Sequence, residues 1–366
     1  MRAVVVFVAL AVVVGACGGD DGEATSDWVD VETDGFVYSV TALGDGFIAS
    51  EDVDGATRVI VSDDGLTWNA VETDVVAPGE SLHWMDGGPA GAVGEVFEDG
   101  PPQVVTTTDG AMFTRADPLA VLEFGEVGIP GMAWGPAGPM VAISRGGEPI
   151  GLIASADGAT WASIELPDGV VDFVNPDTSP IAATQWGYLV VGVPDFVDGN
   201  GNPGVHAWSS TDGTGWALEE ISPDFISGFW PPVAWRDGYV IGGSTFTPVD
   251  EIGEEGTWET LMWRSTGDGV WSIVDTTDYD GPNEVILVDG SDLGVFAVAW
   301  TDDSFSRLDA LFSQDLETWQ VWTDDQAFGT RNAMTVDWGD AAVGSSAVVV
   351  PVDGDLRVFQ PDAETG

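Results

Sequence analysis

The sequence predicts an all-β chain of seven four-stranded units closed into a ring, and three observations carry that expectation. One turn motif recurs six times, a second recurs seven times in alternation with it, and the strand missing from the last unit is found at the N-terminus. No segment sustains helical periodicity, and 49 glycines with 21 prolines suit many short strands better than helices.

The chain begins with Met1-Arg2, an unbroken apolar run from Ala3 to Val14, and then Gly15-Ala16-Cys17. This reads as a secretory signal, too short to span a bilayer as a stable helix. Val14 to Cys17 resembles the bacterial lipobox, with Val14 where leucine is usual. The resemblance implies cleavage before Cys17 and acylation of that residue, over residues 1–17. Cys17 is the single cysteine in the protein, so it has no internal disulfide partner. Gly18 to Ser26 is nearly devoid of apolar side chains and reads as a flexible tether over residues 18–26. The folded body is expected over 27–366.

The first repeat is Ser62-Asp63-Asp64-Gly65-Leu66-Thr67-Trp68. Its copies place Asp109 and Phe113, Asp157 and Trp161, Asp212 and Trp216, and Asp315 and Trp319 in the same register, with Asp268 and Trp271 one residue closer together. Each copy follows a β-rich run and precedes another, so it lies where a hairpin reverses. Asp can accept from backbone amides two residues on, Gly tolerates positive φ, and the Ser or Thr hydroxyl satisfies another turn amide. The aromatic residue then opens the next strand, where its ring can be buried against a neighbouring unit.

The second repeat is a glycine-rich turn after an apolar or aromatic residue. It occurs at Leu43, Trp84, Trp134, Trp186, Trp235, Val288 and Trp338, at spacings of 41 to 53 residues. Two alternating turns at that period give strand a, glycine turn, strand b, variable loop, strand c, Asp-containing turn and strand d, the four-stranded blade of a β-propeller.

The seventh unit offers runs at Ala333–Trp338, Ala341–Ser345, Ala347–Val350 and Leu356–Phe359, with no Asp-containing turn after them. Trp28-Val-Asp-Val-Glu-Thr-Asp34 parallels Trp68-Asn-Ala-Val-Glu-Thr-Asp74, so it reads as a strand d that completes the last blade and covers its edge. The expectation is a seven-bladed β-propeller closed by the N-terminal strand. Six blades with an extra hairpin is the alternative.

The first repeat resembles the Asp-box, or BNR, repeat of sialidases and sortilin-like receptors, shortened by one residue. The resemblance implies a propeller, a structural role for the boxes, and a glycosidase as one function to be tested. A sialidase would require an arginine triad, a tyrosine nucleophile with a glutamate partner, and an acidic acid/base. The mature chain supplies Arg58, Arg115, Arg145, Arg236, Arg264, Arg307, Arg331 and Arg357, of which Arg331 alone stands just before an inner-strand candidate. Tyr38 and Tyr279 are the tyrosines near loops, while Tyr188 and Tyr239 fall inside strand patterns. A secreted glycan-active hydrolase of sialidase-like architecture is thus the alternative to a non-enzymatic binding or scaffold propeller, and no catalytic residue is assigned.

The formal charge is −53, from 62 acidic residues against nine basic ones. That field excludes nucleic acid as a partner and repels anionic headgroups, so membrane attachment must come from acyl chains. The expected address is the extracytoplasmic face of a bacterial membrane, with an unknown protein or glycan partner.

Asp198-Gly-Asn200-Gly-Asn202 has the opening spacing of a calcium loop but lacks the closing glutamate, and reads as a hairpin. His83 and His206 are too few and too far apart for a transition-metal site. Neither metal nor cofactor is expected. The longest inter-repeat excesses lie at Pro194–Gly204, Glu219–Pro232 and Phe246–Gly256, opposite both kinds of repeated turn. Long loops on a rigid ring commonly carry binding. Phe229 and Trp230, with Phe225 nearby and Asp250, Glu251, Glu254 and Glu255 beside them, are therefore the candidate ligand-binding residues, suited to a cationic or carbohydrate partner.

Overall fold

A computed structural model describes residues 27–97, 101–122, 127–145, 148–166, 170–173, 179–194, 205–222, 228–247, 257–266, 269–274, 284–300, 308–328 and 340–361. The expected signal segment and tether, residues 1–26, lie outside them.

The strands form seven antiparallel sheets whose chain order follows the predicted a–b–c–d sequence. Blade 1 is Phe36–Leu43, Gly46–Val53, Ala56–Ser62 and Asn69–Val71. Blades 2 and 3 repeat this over Ser81–Ala116 and Gly128–Ile164. In blades 4 and 5 strand a is in two pieces. Val170–Phe173 and Ile181–Thr184 both pair with Gly187–Pro194, and Gly228–Phe229 and Val233–Trp235 both pair with Gly238–Thr247. In blade 5 the break falls at Pro231-Pro232, which have no N–H to donate to the ladder. Blade 6 is Glu284–Gly290, Val295–Trp300, Leu308–Ser313 and Gln320–Trp322, followed by a one-turn helix, Asp324–Ala327.

Blade 7 supplies three strands, Ala342–Val343, Val348–Val352 and Asp355–Phe359. Its fourth is the N-terminal strand Trp28–Val31, which runs antiparallel to the third with Trp28 opposite Phe359 and Val31 opposite Leu356. Ala341–Ser345 and Ala347–Val350, expected as middle strands, thus hold the innermost strand and the one beside it. The Ala333–Trp338 run lies outside the described residues.

The blades pack face to face through apolar clusters that join neighbours. One unites Phe296, Phe312 and Trp322 of blade 6 with Val348 and Phe359 of blade 7, and Trp28 enters it from the closing strand. Another joins Val37, Phe47 and Ile60 of blade 1 to Val349, Leu356 and Val358 of blade 7.

The c–d turns add a second inter-blade contact. Gly65, at φ +75°, lies so near blade 7 that an added Cβ would stand 3.0 Å from Val349 and 3.3 Å from Val358. Gly110 meets Leu43 and Val61 of blade 1, and Gly158 meets Thr106 of blade 2 in the same way. Glycine is needed there for both the left-handed backbone and the approach. Blade 6 has Leu316 instead, at φ +64°, with its side chain buried in the cluster of Val240, Met262 and Leu311.

The register expected of the second repeat needs correcting in blade 4 and in blade 2, where Trp84 pairs with Gly94, well before the turn at Pro89-Ala90. Trp235 stands at the last pair before its glycine turn, opposite Gly238, and Trp134 pairs one step earlier, opposite Pro139. Trp186 was read as equivalent to them. In the structure Thr184 pairs with Gly187, so Trp186 sits in the turn itself.

Candidate functional site: the axial channel

The innermost strands of the seven blades surround an axial cavity of about 350 Å³. Thr41, Asp86, Met132, Ala182, Trp230 and Asp289 are among the residues that line it. Asp340 lines it too, next to the inner strand of blade 7. The geometry of Asp86 and Asp289 follows from bulges. Strand a of blade 2 slips register between Trp84 and Asp86, and strand a of blade 6 slips between Leu287 and Asp289. Such a slip re-aims the following side chain.

Both carboxylates use that freedom to tie one blade to the next. Asp86 Oδ2 accepts from the Trp134 amide of blade 3 at 2.6 Å. Asp289 Oδ2 accepts from the Val343 amide of blade 7 at 2.7 Å, and its Oδ1 from Gly290 N at 2.8 Å. Blade 1 repeats the device with a hydroxyl: after a slip between Val37 and Ser39, Ser39 Oγ accepts from the Trp84 amide at 3.1 Å.

Each carboxyl keeps a surface on the channel but lies deep in the body, where protein has replaced most of its hydration. Burial pushes Asp86 up to about 8, with the charge of Asp289 adding to it and the Trp134 amide opposing it. Burial pushes Asp289 up to about 7, against the Val343 and Gly290 amides. No Lys, Arg or His is among the described residues that line the cavity. Both acids were taken for turn residues in the sequence, because an Asp-Gly pair ordinarily marks a turn. In blade 2 the actual turn is Pro89-Ala90, between paired Gly88 and Gly91.

The c–d turn residues adopt one hydrogen-bond pattern. Asp64 Oδ1 accepts from the Leu66 and Thr67 amides, each at 2.8 Å, and Ser62 Oγ accepts from Gly65 N at 2.8 Å. Asp109, Asp157, Asp212 and Asp315 each accept from the two equivalent amides. Those bonds pull their carboxyls down, to about 2 for Asp212. Asp268 lies outside the described residues.

The aromatic partners are less uniform. Trp161 is buried and donates its indole N–H to Gly158 O at 3.1 Å. Trp68 does the same to Gly65 O at 2.7 Å but is half-buried, as are Phe113, Trp216, Trp271 and Trp319. The indole of Trp271 instead reaches back to blade 4 and donates to Glu219 Oε2 at 2.8 Å. Phe113 lies 6.4 Å from Trp84, centroid to centroid.

Of the two aromatic candidates for a ligand surface, Trp230 lines the channel. Its amide donates to Gly242 O at 3.0 Å, and its ring packs against the core of blades 6 and 7. It therefore both caps the core and faces the cavity. Phe229 pairs with Gly243 in strand a of blade 5. Phe225, Asp250, Glu251, Glu254, Glu255, Tyr279 and the Asp198–Asn202 loop lie outside the described residues. Among the described residues no three His, Cys, Asp or Glu are placed to hold a metal ion. His83 is stacked between Tyr38 at 4.9 Å and Phe97 at 5.1 Å, and His206 is buried in blade 4.

Four of the described arginines have structural partners. Arg58 pairs with Glu51 and Asp34, Arg115 with Glu80, and Arg357 with Asp30. Arg236 lies over the Trp235 ring at 4.9 Å and donates to Gln314 O. Arg307 and Arg331 lie outside the described residues. Tyr38 donates its hydroxyl to Thr57 Oγ1 at 2.9 Å and accepts from the Leu82 amide, joining blades 1 and 2.

No protein-family model and no curated protein matches the sequence. Among solved structures, a streptogramin B lyase matches 90% of this chain and 96% of its own at 13% identity, with a TM-score of 0.51. An α-L-arabinanase from Penicillium chrysogenum matches at 12% identity and a TM-score of 0.38, covering 90% and 96% of the two chains. Trypanosoma rangeli sialidase matches at 12% identity and 0.36, covering 90% of this chain and 54% of its own. At such identities the likeness speaks to fold alone, and with the seven paired sheets it establishes a seven-bladed β-propeller.

Proposed function

We propose that this protein is a non-enzymatic binding propeller, exported and held on the extracytoplasmic face of a bacterial membrane by acylated Cys17, which receives a cationic group of its partner at the axial channel. One observation carries the reading: the described channel wall presents Asp86 and Asp289, Asp340 as well, and no basic side chain. A cation entering there would restore the charged form of Asp86 and Asp289, which burial opposes. The same wall offers no cationic clamp for an anionic substrate. The recurrent turns, which resemble shortened Asp boxes, serve in this reading to dock one blade on the next.

A glycan-active hydrolase is the second reading, favoured by one feature, two carboxyls raised toward neutrality in a cavity. Both readings are tested with the same variant. Cationic ligands such as spermidine are titrated calorimetrically into the protein and into Asp86→Asn/Asp289→Asn, and both are assayed on a panel of fluorogenic glycosides. Binding lost in the variant with no turnover by either protein supports the binding propeller. Turnover abolished by the double substitution replaces it with the hydrolase.

A further inference from the structure

The position before the glycine that opens strand b is Asp45 in blade 1, Ala90 in blade 2, Ala137 in blade 3 and Asp237 in blade 5. Blade 4 has Trp186 there, 61% exposed, the one tryptophan among the described residues that lies mostly in solvent. The blade has no structural use for an indole at a two-residue turn, since its neighbours manage with a methyl or a carboxylate. An exposed indole costs solubility and gains no packing.

Trp186 is also not alone. It stands on the rim of a cleft of about 300 Å³ between blades 4 and 5, on the face that carries the a–b and c–d turns and therefore away from the long loops. The rest of the lining mixes apolar surface, Tyr188 and Ala217 among it, with the hydroxyl-bearing Ser209, Thr211 and Ser265 and the carboxyl-bearing Glu219 and Asp237. Glu219 is fixed in place, accepting from Ser209 Oγ on one oxygen and from the Trp271 indole on the other. Tyr239 closes the floor, its phenol pushed above the usual range by burial.

We propose that this cleft is a carbohydrate-binding subsite in which Trp186 stacks on the apolar face of a pyranose while Asp237 and the serine and threonine hydroxyls bind its ring hydroxyls. The volume matches a single sugar ring at the lower end of known ligand sites. With a net charge of −53, the surface selects neutral sugars over uronic, sialic or sulfated ones. The subsite does not depend on the axial channel and lies on the turn face, so the two readings stand or fall separately.

The test is electrophoresis of the intact protein through native gels containing β-glucan, mannan or arabinan, with intrinsic fluorescence titration by the matching oligosaccharides. Wild-type protein is expected to be retarded in at least one gel. Trp186→Ala should weaken that binding by about tenfold or more, and Trp186→Tyr should recover part of it. Asp86→Asn/Asp289→Asn, which alters the channel, should bind as wild type does. Trp186 is exposed, so its variants should melt with the parent protein, which the same samples check. Migration unchanged in every gel, or equal retardation of wild type and Trp186→Ala, overturns the proposal. So does a Trp186 fluorescence response to tetramethylammonium chloride with none to the sugars, which would make the cleft a cation site.

Discussion

Trp28 lies directly across the sheet from Phe359, their ring centroids 5.6 Å apart, and its edge meets Trp322 of blade 6 at the same separation. The residue that opens the first described strand is thus built into the core that joins blades 6 and 7. Its indole is 4% exposed.

Removing residues 27–34 should therefore destabilise the whole ring, because blade 7 would lose its outer strand and expose the edge of Asp355–Phe359. Trp28→Ala alone should cost about 3–5 kcal/mol, the range for deleting a buried aromatic side chain. Thermal and urea unfolding measure both, and a melting temperature unchanged by the deletion would refute the closure.

The c–d turn aromatics should fall into two classes. Trp161→Ala should lose about 3–5 kcal/mol, since the ring is buried and its N–H is bonded. Trp68 and Trp319 are half-buried, so their alanine variants should lose less, about 1–3 kcal/mol. Equal losses at all three positions in urea titrations would contradict this ordering.

Leu316 sets two effects against each other. Glycine would relieve a left-handed backbone worth about 1–2 kcal/mol but would empty a fully buried leucine site worth about 3–5 kcal/mol. Packing wins, and Leu316→Gly should be destabilising by about 1–4 kcal/mol in the same measurement. A stabilised variant would show that strain dominates.

Stability should fall as pH rises from about 4 to about 8. Asp86 and Asp289 have folded-state values of about 8 and about 7, above their unfolded range near 4. Over that window the folded protein holds more protons than the unfolded chain, so deprotonation favours unfolding. Asp109, Asp157 and Asp212 act in the opposite sense, their contribution being lost only as pH falls through their lowered values. Urea midpoints across pH 5–9 should decline for the wild type and decline less for Asp86→Asn/Asp289→Asn. Glu95, raised to about 7 by burial, leaves a residual slope in the variant. Parallel curves for the two proteins would refute the assignment.

The proposed anchor predicts that Cys17→Ser moves the protein from the membrane to the soluble fraction and abolishes labelling by a fatty-acid analogue. Label retained on that variant would remove the lipoprotein assignment.

The ring was legible because its signals are local and repeated. Asp64-Gly65 and its copies specify a turn wherever they occur, and the likeness of Trp28–Asp34 to Trp68–Asp74 disclosed the closing strand before any pairing was known. The channel was not legible, because the roles of Asp86 and Asp289 depend on a register slip and on an amide one blade away, neither of which leaves a mark in the residues themselves. Trp186 was misplaced for a related reason: a shift against Trp235 and Trp134 cannot be seen until the strands are paired. The indole of Trp271 donates to Glu219 of the preceding blade, a partner that the residues of its own turn do not disclose.

A ring shut by its first strand is also a statement about time. Ser345 reaches Asp45 across 300 positions of chain, and the pairing of Trp28 with Phe359 spans more. Contacts so distant in sequence form late, because the loop entropy is spent before they return anything. As the polypeptide emerges from its N-terminus, Trp28–Val31 must wait without a partner until the last strand has been made. Throughout that interval a lone strand stands at one end of the array and an uncovered sheet edge at the other, and a net charge of −53 sets neighbouring chains to repel one another while they are open.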